Sequence, residues 1–170
     1  MKLAFDPRGN LLPYEKISIS LKEFEDFFVN QSTGSDQRKQ IFDSYLNFVH
    51  DFSAQVSDQF TQWIDGSFVT AKERPNDIDF VTFINYELFE AKEKLIHENF
   101  RLEGAKIKYG VDAYTVRQYP EEHAKHMLYR SDWVYWYHWF SQTKKNRAKK
   151  KYSKGFVEIK FGKSTYGSDR

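Results

Sequence analysis

Residues 63–83 read WIDGSFVTAKERPNDIDFVTF, and the interpretation of the whole chain turns on them. A β-type run over 60–65 (FTQWID) stops at Gly66-Ser67. A charged, turn-prone connector over 70–76 follows, and a second strand over 77–84 opens on Asp77-Ile78-Asp79. Its β-branched and aromatic residues make 77–84 the most strand-like stretch of the protein. Side chains two apart on a strand share a face, so Asp77 and Asp79 are expected to project together. Such neighbouring carboxylates repel unless a cation sits between them. Oxygen-only ligands suit Mg²⁺ or Mn²⁺, with substrate phosphate oxygens completing the octahedron. The turn supplies what a phosphate needs. Gly66 lets the backbone come close, while the Ser67 hydroxyl and nearby amides offer donors. The plain alternative is a β-turn followed by two solvated aspartates on an edge strand.

A third carboxylate is available. Residues 106–118 (KIKYGVDAYTVRQ) read as strand, and Asp112 is a polar residue among Gly110, Val111 and Ala113. Paired beside 77–84, that strand would bring Asp112 to the other two. Two metal ions bridged by three carboxylates would activate an attacking hydroxyl and neutralise a leaving pyrophosphate. Unpaired, Asp112 is an unconnected turn or edge carboxylate.

The flanking sequence fits an α/β (α+β) domain with a small mixed sheet backed by helices. A turn at 6–10 and an extended piece to Ser20 lead into Ser20-Leu21-Lys22-Glu23, the spacing of a capping box. A short helix over 21–30 follows, then a loop over 30–36 and a longer amphipathic helix over 36–57. Ile41, Phe42, Tyr45, Phe48, Val49 and Phe52 form its apolar side. Asn85 can cap a helix over 86–99, and Pro120 with Glu121 and Glu122 opens another, running to about 142. A last strand over 155–161 (GFVEIKF) closes a single domain over 1–170, whose helical N-terminal part is 1–58 and whose catalytic sheet and helices are 59–142.

Composition narrows the classes. Aromatic residues make up 18% of the chain, too much apolar ring surface for a disordered or fibrous protein. No apolar run reaches the ~18–20 residues of a membrane span, and the opening MKLAFDPRGN lacks an apolar leader segment. With no cysteine there are no disulfides, thiolate metal sites or cysteine nucleophiles, and a cytoplasmic location is expected. The basic segment 143–154 (TKKNRAKKKYSK) carries 7 of the 26 Lys and Arg residues and no acid, leaving the remainder with 19 basic against 24 acidic. An acidic body with one basic segment suits a protein that holds cations in one place and phosphates in another; the segment also reads as a solvated loop.

The stretch from Ile64-Gly66-Ser67 to Asp77-Ile78-Asp79, with Asp112 later, resembles the signature of the DNA polymerase β-type nucleotidyltransferase superfamily. The wording GSFVTAKERPNDIDFV, with the opening NLLPYEKISISLKEFEDFF and the closing KGFVEIKF, is most similar to a small bacterial and phage branch of it. The resemblance implies that Asp77 and Asp79 ligate both metals, Asp112 positions the attacking hydroxyl, and Gly66 and Ser67 hold the triphosphate of an NTP. The chain would then transfer a nucleoside monophosphate to a hydroxyl of RNA, a protein side chain or a small molecule. Minimal antitoxin-type members carry Arg and Gly soon after Gly-Ser, where this chain has Val69, Thr70 and Ala71. A non-catalytic module acting on a partner protein, such as an antitoxin or regulatory subunit, is therefore the second class. A nucleic-acid-binding domain without chemistry is the third.

Remaining candidates divide between site and scaffold. Lys72 and Arg74 in the connector, and Lys154 before the last strand, offer contacts to phosphate or acceptor, or belong to solvated loops. Asp65 reads as a turn former. His123 and His126 are three apart without a third ligand nearby, which reads as capping or surface placement. The run 133–140 (WVYWYHWF) is aromatic on all sides, so some rings must face a pocket, a partner or a nucleobase.

Overall fold

The computed structural model describes residues 3–31 and 35–162. Strands β1 (Ala4–Phe5) and β2 (Leu11–Leu12) form a two-stranded antiparallel ribbon. The main sheet has five strands in the order β3-β7-β4-β5-β6, made of Lys16–Ser18, Phe156–Phe161, Phe60–Asp65, Asp79–Asn85 and Asp112–Gln118. It is mixed: β3/β7 and β5/β6 are parallel, while β4 runs antiparallel to both β5 and β7. The α+β class expected from the sequence is the class observed. The extended piece before Ser20 supplies two short strands, β2 and β3, of which β3 enters the main sheet.

Helix α1 (Leu21–Glu25) begins at the expected capping box: Ser20 and Glu23 satisfy each other's backbone amides. It continues as a π-helical turn over Asp26–Asn30. The loop expected over 30–36 lies partly outside the described residues. Helix α2 (Ser35–Gln55) packs its aromatic side on one sheet face, where Phe42, Tyr45, Phe48 and Phe52 meet Phe60, Ile64, Phe80 and Ile84. Helix α6 (His126–Phe140) covers the opposite face. There Trp63, Val81, Phe83, Val116 and Phe156 meet Trp133, Trp136, Tyr137 and Phe140. Alternation along each strand thus separates two cores, one on each side of the sheet.

Three local expectations are corrected. Residues 106–109 are helical: α5 (Leu102–Tyr109) ends at Gly110, whose φ of +71° is the left-handed stop that glycine adopts without strain. The strand starts only at Asp112. The helix over 86–99 is two, α3 (Tyr86–Ala91) and α4 (Glu93–Asn99), broken at Lys92, where φ is −120°. Residues 121–125 form turns instead of a helical first turn. The His123 ring there stacks on Tyr119 and lies tilted against Tyr86, and its Nδ1 accepts from the Lys125 amide. His126 Nδ1 meets the Tyr119 carbonyl, and among the described residues neither histidine belongs to a group of three metal-capable side chains.

Candidate active site

Register fixes where the carboxylates lie. Asp65, Asp79 and Asp112 are consecutive cross-strand partners on β4, β5 and β6, and the next row inward is Trp63, Val81 and Tyr114. Directly paired residues share a sheet face, so all six point toward the α6 side. Helix α6 covers the inner row: Trp133 meets Trp63 edge-on and Trp136 packs on Tyr114 at 4.7 Å between ring centroids. The outer row lies at the end of the sheet, where β4 finishes and β5, β6 and β7 begin.

Asp77 precedes β5 instead of lying within it, yet it still converges with Asp79 and Asp112. One oxygen from each of the three carboxylates lies within 4.8 Å of the others. The set is all oxygen and half-buried, which fits Mg²⁺ or Mn²⁺. The chain supplies one cation itself: Lys106 Nζ lies 2.9 Å from Oδ2 of Asp77 and 2.9 Å from Oδ1 of Asp112. Burial opposes the charge on Asp77, but hydrogen bonding with Lys106 and Asp112 holds its carboxyl below the ordinary value. Among the described residues Asp79 receives no such donor. Burial, reinforced by the charges of Asp77, Asp112 and Asp65, pushes its carboxyl up to about 6. That asymmetry leaves Asp79 as the member most in need of a further cation.

The turn abuts this cluster. Gly66 has φ +79°, and a Cβ on it would lie 1.9 Å from Oδ2 of Asp79. Ser67 begins a short 3₁₀ turn (Ser67–Val69), and its carbonyl accepts from the Thr70 amide and hydroxyl. The following backbone is held by Arg38, 2% exposed. Its guanidinium donates to the carbonyls of Phe28, Phe68, Thr70 and Lys72. Ala71 donates to the Gly9 carbonyl.

The expected phosphate contacts separate. Lys72 lies on the exposed connector, beside the equally exposed Arg74. Lys154 is buried, and its ammonium lies 2.7 Å from both carboxylate oxygens of Asp65. Lys154 and Asp65 thus form a buried ion pair, which sets Lys154 apart from a solvated loop and gives Asp65 a partner beyond the turn. Burial pushes the Asp65 carboxyl up to about 6, with Lys154 opposing a further rise.

Two residues of the site lie outside the sequence reading. Lys106 is hidden in the sequence because KIKY over 106–109 alternates as a strand does. Arg38 carried a readable signal, since it precedes Ile41, Phe42 and Tyr45 by three, four and seven residues and so falls on the apolar side of α2. Lys144, at the start of the basic segment, acts electrostatically on Asp65, Asp77 and Asp79, and Lys154 at its end pairs with Asp65, the cross-strand partner of Asp79. An open cleft of about 430 Å³ adjoins the cluster, lined by Leu102, Lys106, Ile107, Asp112 and Tyr114. Among the described residues no helix is long and apolar enough to cross a membrane.

The chain belongs to DUF6932, a family of unknown function whose profile matches residues 3–160. No curated protein and no solved structure matches it.

Proposed function

We propose that this DUF6932 chain is a divalent-metal-dependent nucleotidyltransferase, moving a nucleoside monophosphate from an NTP to a hydroxyl acceptor. The observation that carries the reading is the meeting of Asp77, Asp79 and Asp112 at a sheet end against the Gly66-Ser67 turn. When bound there, Mg²⁺ or Mn²⁺ supplies charge neutralisation for the triphosphate and acidifies the acceptor hydroxyl. In this reading Asp77 and Asp79 hold the cations, and Gly66 lets the backbone approach a phosphate oxygen. Asp112 orients the acceptor hydroxyl and takes its proton. The acceptor oxygen bonds to the α-phosphorus as the bond to pyrophosphate breaks. Calorimetry with an NTP, with and without Mn²⁺, tests the binding, and pyrophosphate release tests the chemistry. Asp77→Asn and Asp79→Asn each remove charge that the cations need and should abolish both signals while the fold stays intact. NTP affinity that is equal with and without metal, in wild type and variants alike, rejects the site.

A second reading has its own support. Lys106 already pairs with two of the three carboxylates, as expected of a non-catalytic module that keeps the shape of the site and acts on a partner protein. Retained fold and partner binding with no metal-dependent NTP binding, even after Lys106→Ala, would select it.

A further inference from the structure

The basic segment is a built hairpin. Gln142 and Ser153 form an antiparallel bridge, and the Thr143 amide donates to the Tyr152 carbonyl at 2.8 Å. Asn146 closes the tip: its amide donates to the Lys150 carbonyl, and its side chain accepts from the Lys150 amide at 2.9 Å. Lys149, with φ +57°, makes the reversal. This order holds Lys144, Lys145, Arg147, Lys149, Lys150 and Lys151 exposed on one short projection. Among the described residues none of the six forms an ion pair within 4 Å. Arg8 adds a seventh cation at the base, stacked 4.3 Å above the Tyr152 ring. Concentrating like charges without counter-ions costs stability, and a polyanion would offset it.

Helix α6 leads into this hairpin and carries the second element. Tyr135 and Trp139 are 56% and 49% exposed on its outer side, their rings 10° from parallel with centroids 6.2 Å apart. Tyr135 meets Trp136 edge-on at 5.3 Å between ring centroids, and Trp136 packs on Tyr114, the inward neighbour of Asp112 along β6. The hairpin base thus meets the carboxylate row through Lys154 and Asp65, and the exposed rings connect to the Asp112 end of that row through Trp136 and Tyr114. Unpaired bases stack on such rings while lysines follow the phosphates; a duplex hides its base faces and uses the cations alone.

We infer that the hairpin at 142–153 and the Tyr135–Trp139 face together bind a single-stranded polynucleotide. Resting on the proposed transferase reading, this names the acceptor class: a strand end whose hydroxyl reaches the carboxylates.

The test measures fluorescence anisotropy of labelled RNA and DNA 12-mers, single-stranded and duplex, against the full chain. EDTA is present and NTP is left out, so the outcome does not depend on the transferase chemistry. Single strands should bind at least tenfold tighter than duplexes, and the tighter of the RNA and DNA arms identifies the acceptor. The combined Lys149→Ala, Lys150→Ala and Lys151→Ala variant should reduce the log–log salt slope by about 2, at ~0.7 per phosphate contact on a single strand. Trp139→Ala should weaken binding by about tenfold with the slope unchanged, and Trp139→Phe should restore most of it. Circular dichroism and thermal melts check that the variants are folded. Unchanged slope in the triple-lysine variant overturns the inference, as does equal affinity for duplex or heparin. So does an unaffected Trp139→Ala that instead disrupts self-association in sedimentation, which would make the face a protein interface. Strand binding lost while metal-dependent NTP binding persists overturns only this inference and moves the acceptor to a protein or small molecule.

Discussion

A methyl group on Gly66 would lie 1.9 Å from Oδ2 of Asp79, so the turn and the central carboxylate of the cluster fill adjoining space with no room for a side chain between them. Gly66→Ala therefore carries two penalties, a left-handed backbone that an L-residue resists and a clash that displaces Asp79. Together they should cost about 1–3 kcal/mol of stability and weaken Mn²⁺ binding. A double-mutant cycle with Asp79→Ala separates them. Removing the carboxylate should return the clash component and leave the backbone strain. Additive losses in denaturant unfolding would show that the two residues do not press on each other.

In the proposed metal site Lys106 and a divalent cation would compete for the same oxygens. In Lys106→Ala, Asp77 and Asp112 lose their neutralising partner, so the metal-free protein should be slightly less stable, by well under 1 kcal/mol for so exposed a lysine. Mn²⁺ affinity should rise several-fold because no ammonium has to be displaced. Calorimetric titration of the two proteins at one ionic strength measures this. Weaker Mn²⁺ binding in the variant would mean that Lys106 supports the metal instead of excluding it.

Arg38 organises the backbone after the Gly-Ser turn through four carbonyls drawn from two segments of chain. Arg38→Met keeps the buried stem but leaves those carbonyls without their donor, at a cost of about 3–5 kcal/mol. Arg38→Lys should recover little, because an ammonium lacks the planar fork that reaches several acceptors at once. Limited proteolysis should show the connector at 70–76 cut first in both variants. Unchanged protection of that connector would remove Arg38 from its role.

What was legible in the sequence follows from how local each signal is. Strand β5 and the Gly66-Ser67 stop could be read because β-branched alternation and a turn glycine are short-range signals, and the capping box at Ser20 and Glu23 is likewise complete within four residues. Asp112 could be suspected but not placed, since its meeting with Asp79 depends on parallel pairing set by the whole α3–α5 crossover. Residues 106–109 misled because KIKY alternates like a strand, whereas Gly110 ends a helix there and thereby aims Lys106 at the carboxylates. Lys154 looked like a free cation in a basic run. Only the pairing of β7 beside β4 brings it to Asp65 and buries both.

Glu158 on β7 is register partner to Ser18 on β3 and to Trp63 on β4. Its carboxylate accepts from Ser18 Oγ at 2.6 Å and Trp63 Nε1 at 2.9 Å, and it pairs with Lys16. Burial opposes its charge, but the donors from Lys16, Ser18 and Trp63 outweigh that and hold the carboxyl below its ordinary value of 4.5. A carboxyl lowered by folding stabilises the native state at every pH above its unfolded value, and that stabilisation is lost as pH falls through the folded value. Glu158→Gln imitates the protonated form. Wild type should therefore exceed the variant by about 1–2 kcal/mol in urea unfolding at pH 7, with the gap closing as the pH drops below about 4. A gap that stays constant from pH 7 to pH 3 would trace the effect of the substitution to packing, with the Glu158 charge contributing nothing to the hold of β3 and β4 on β7.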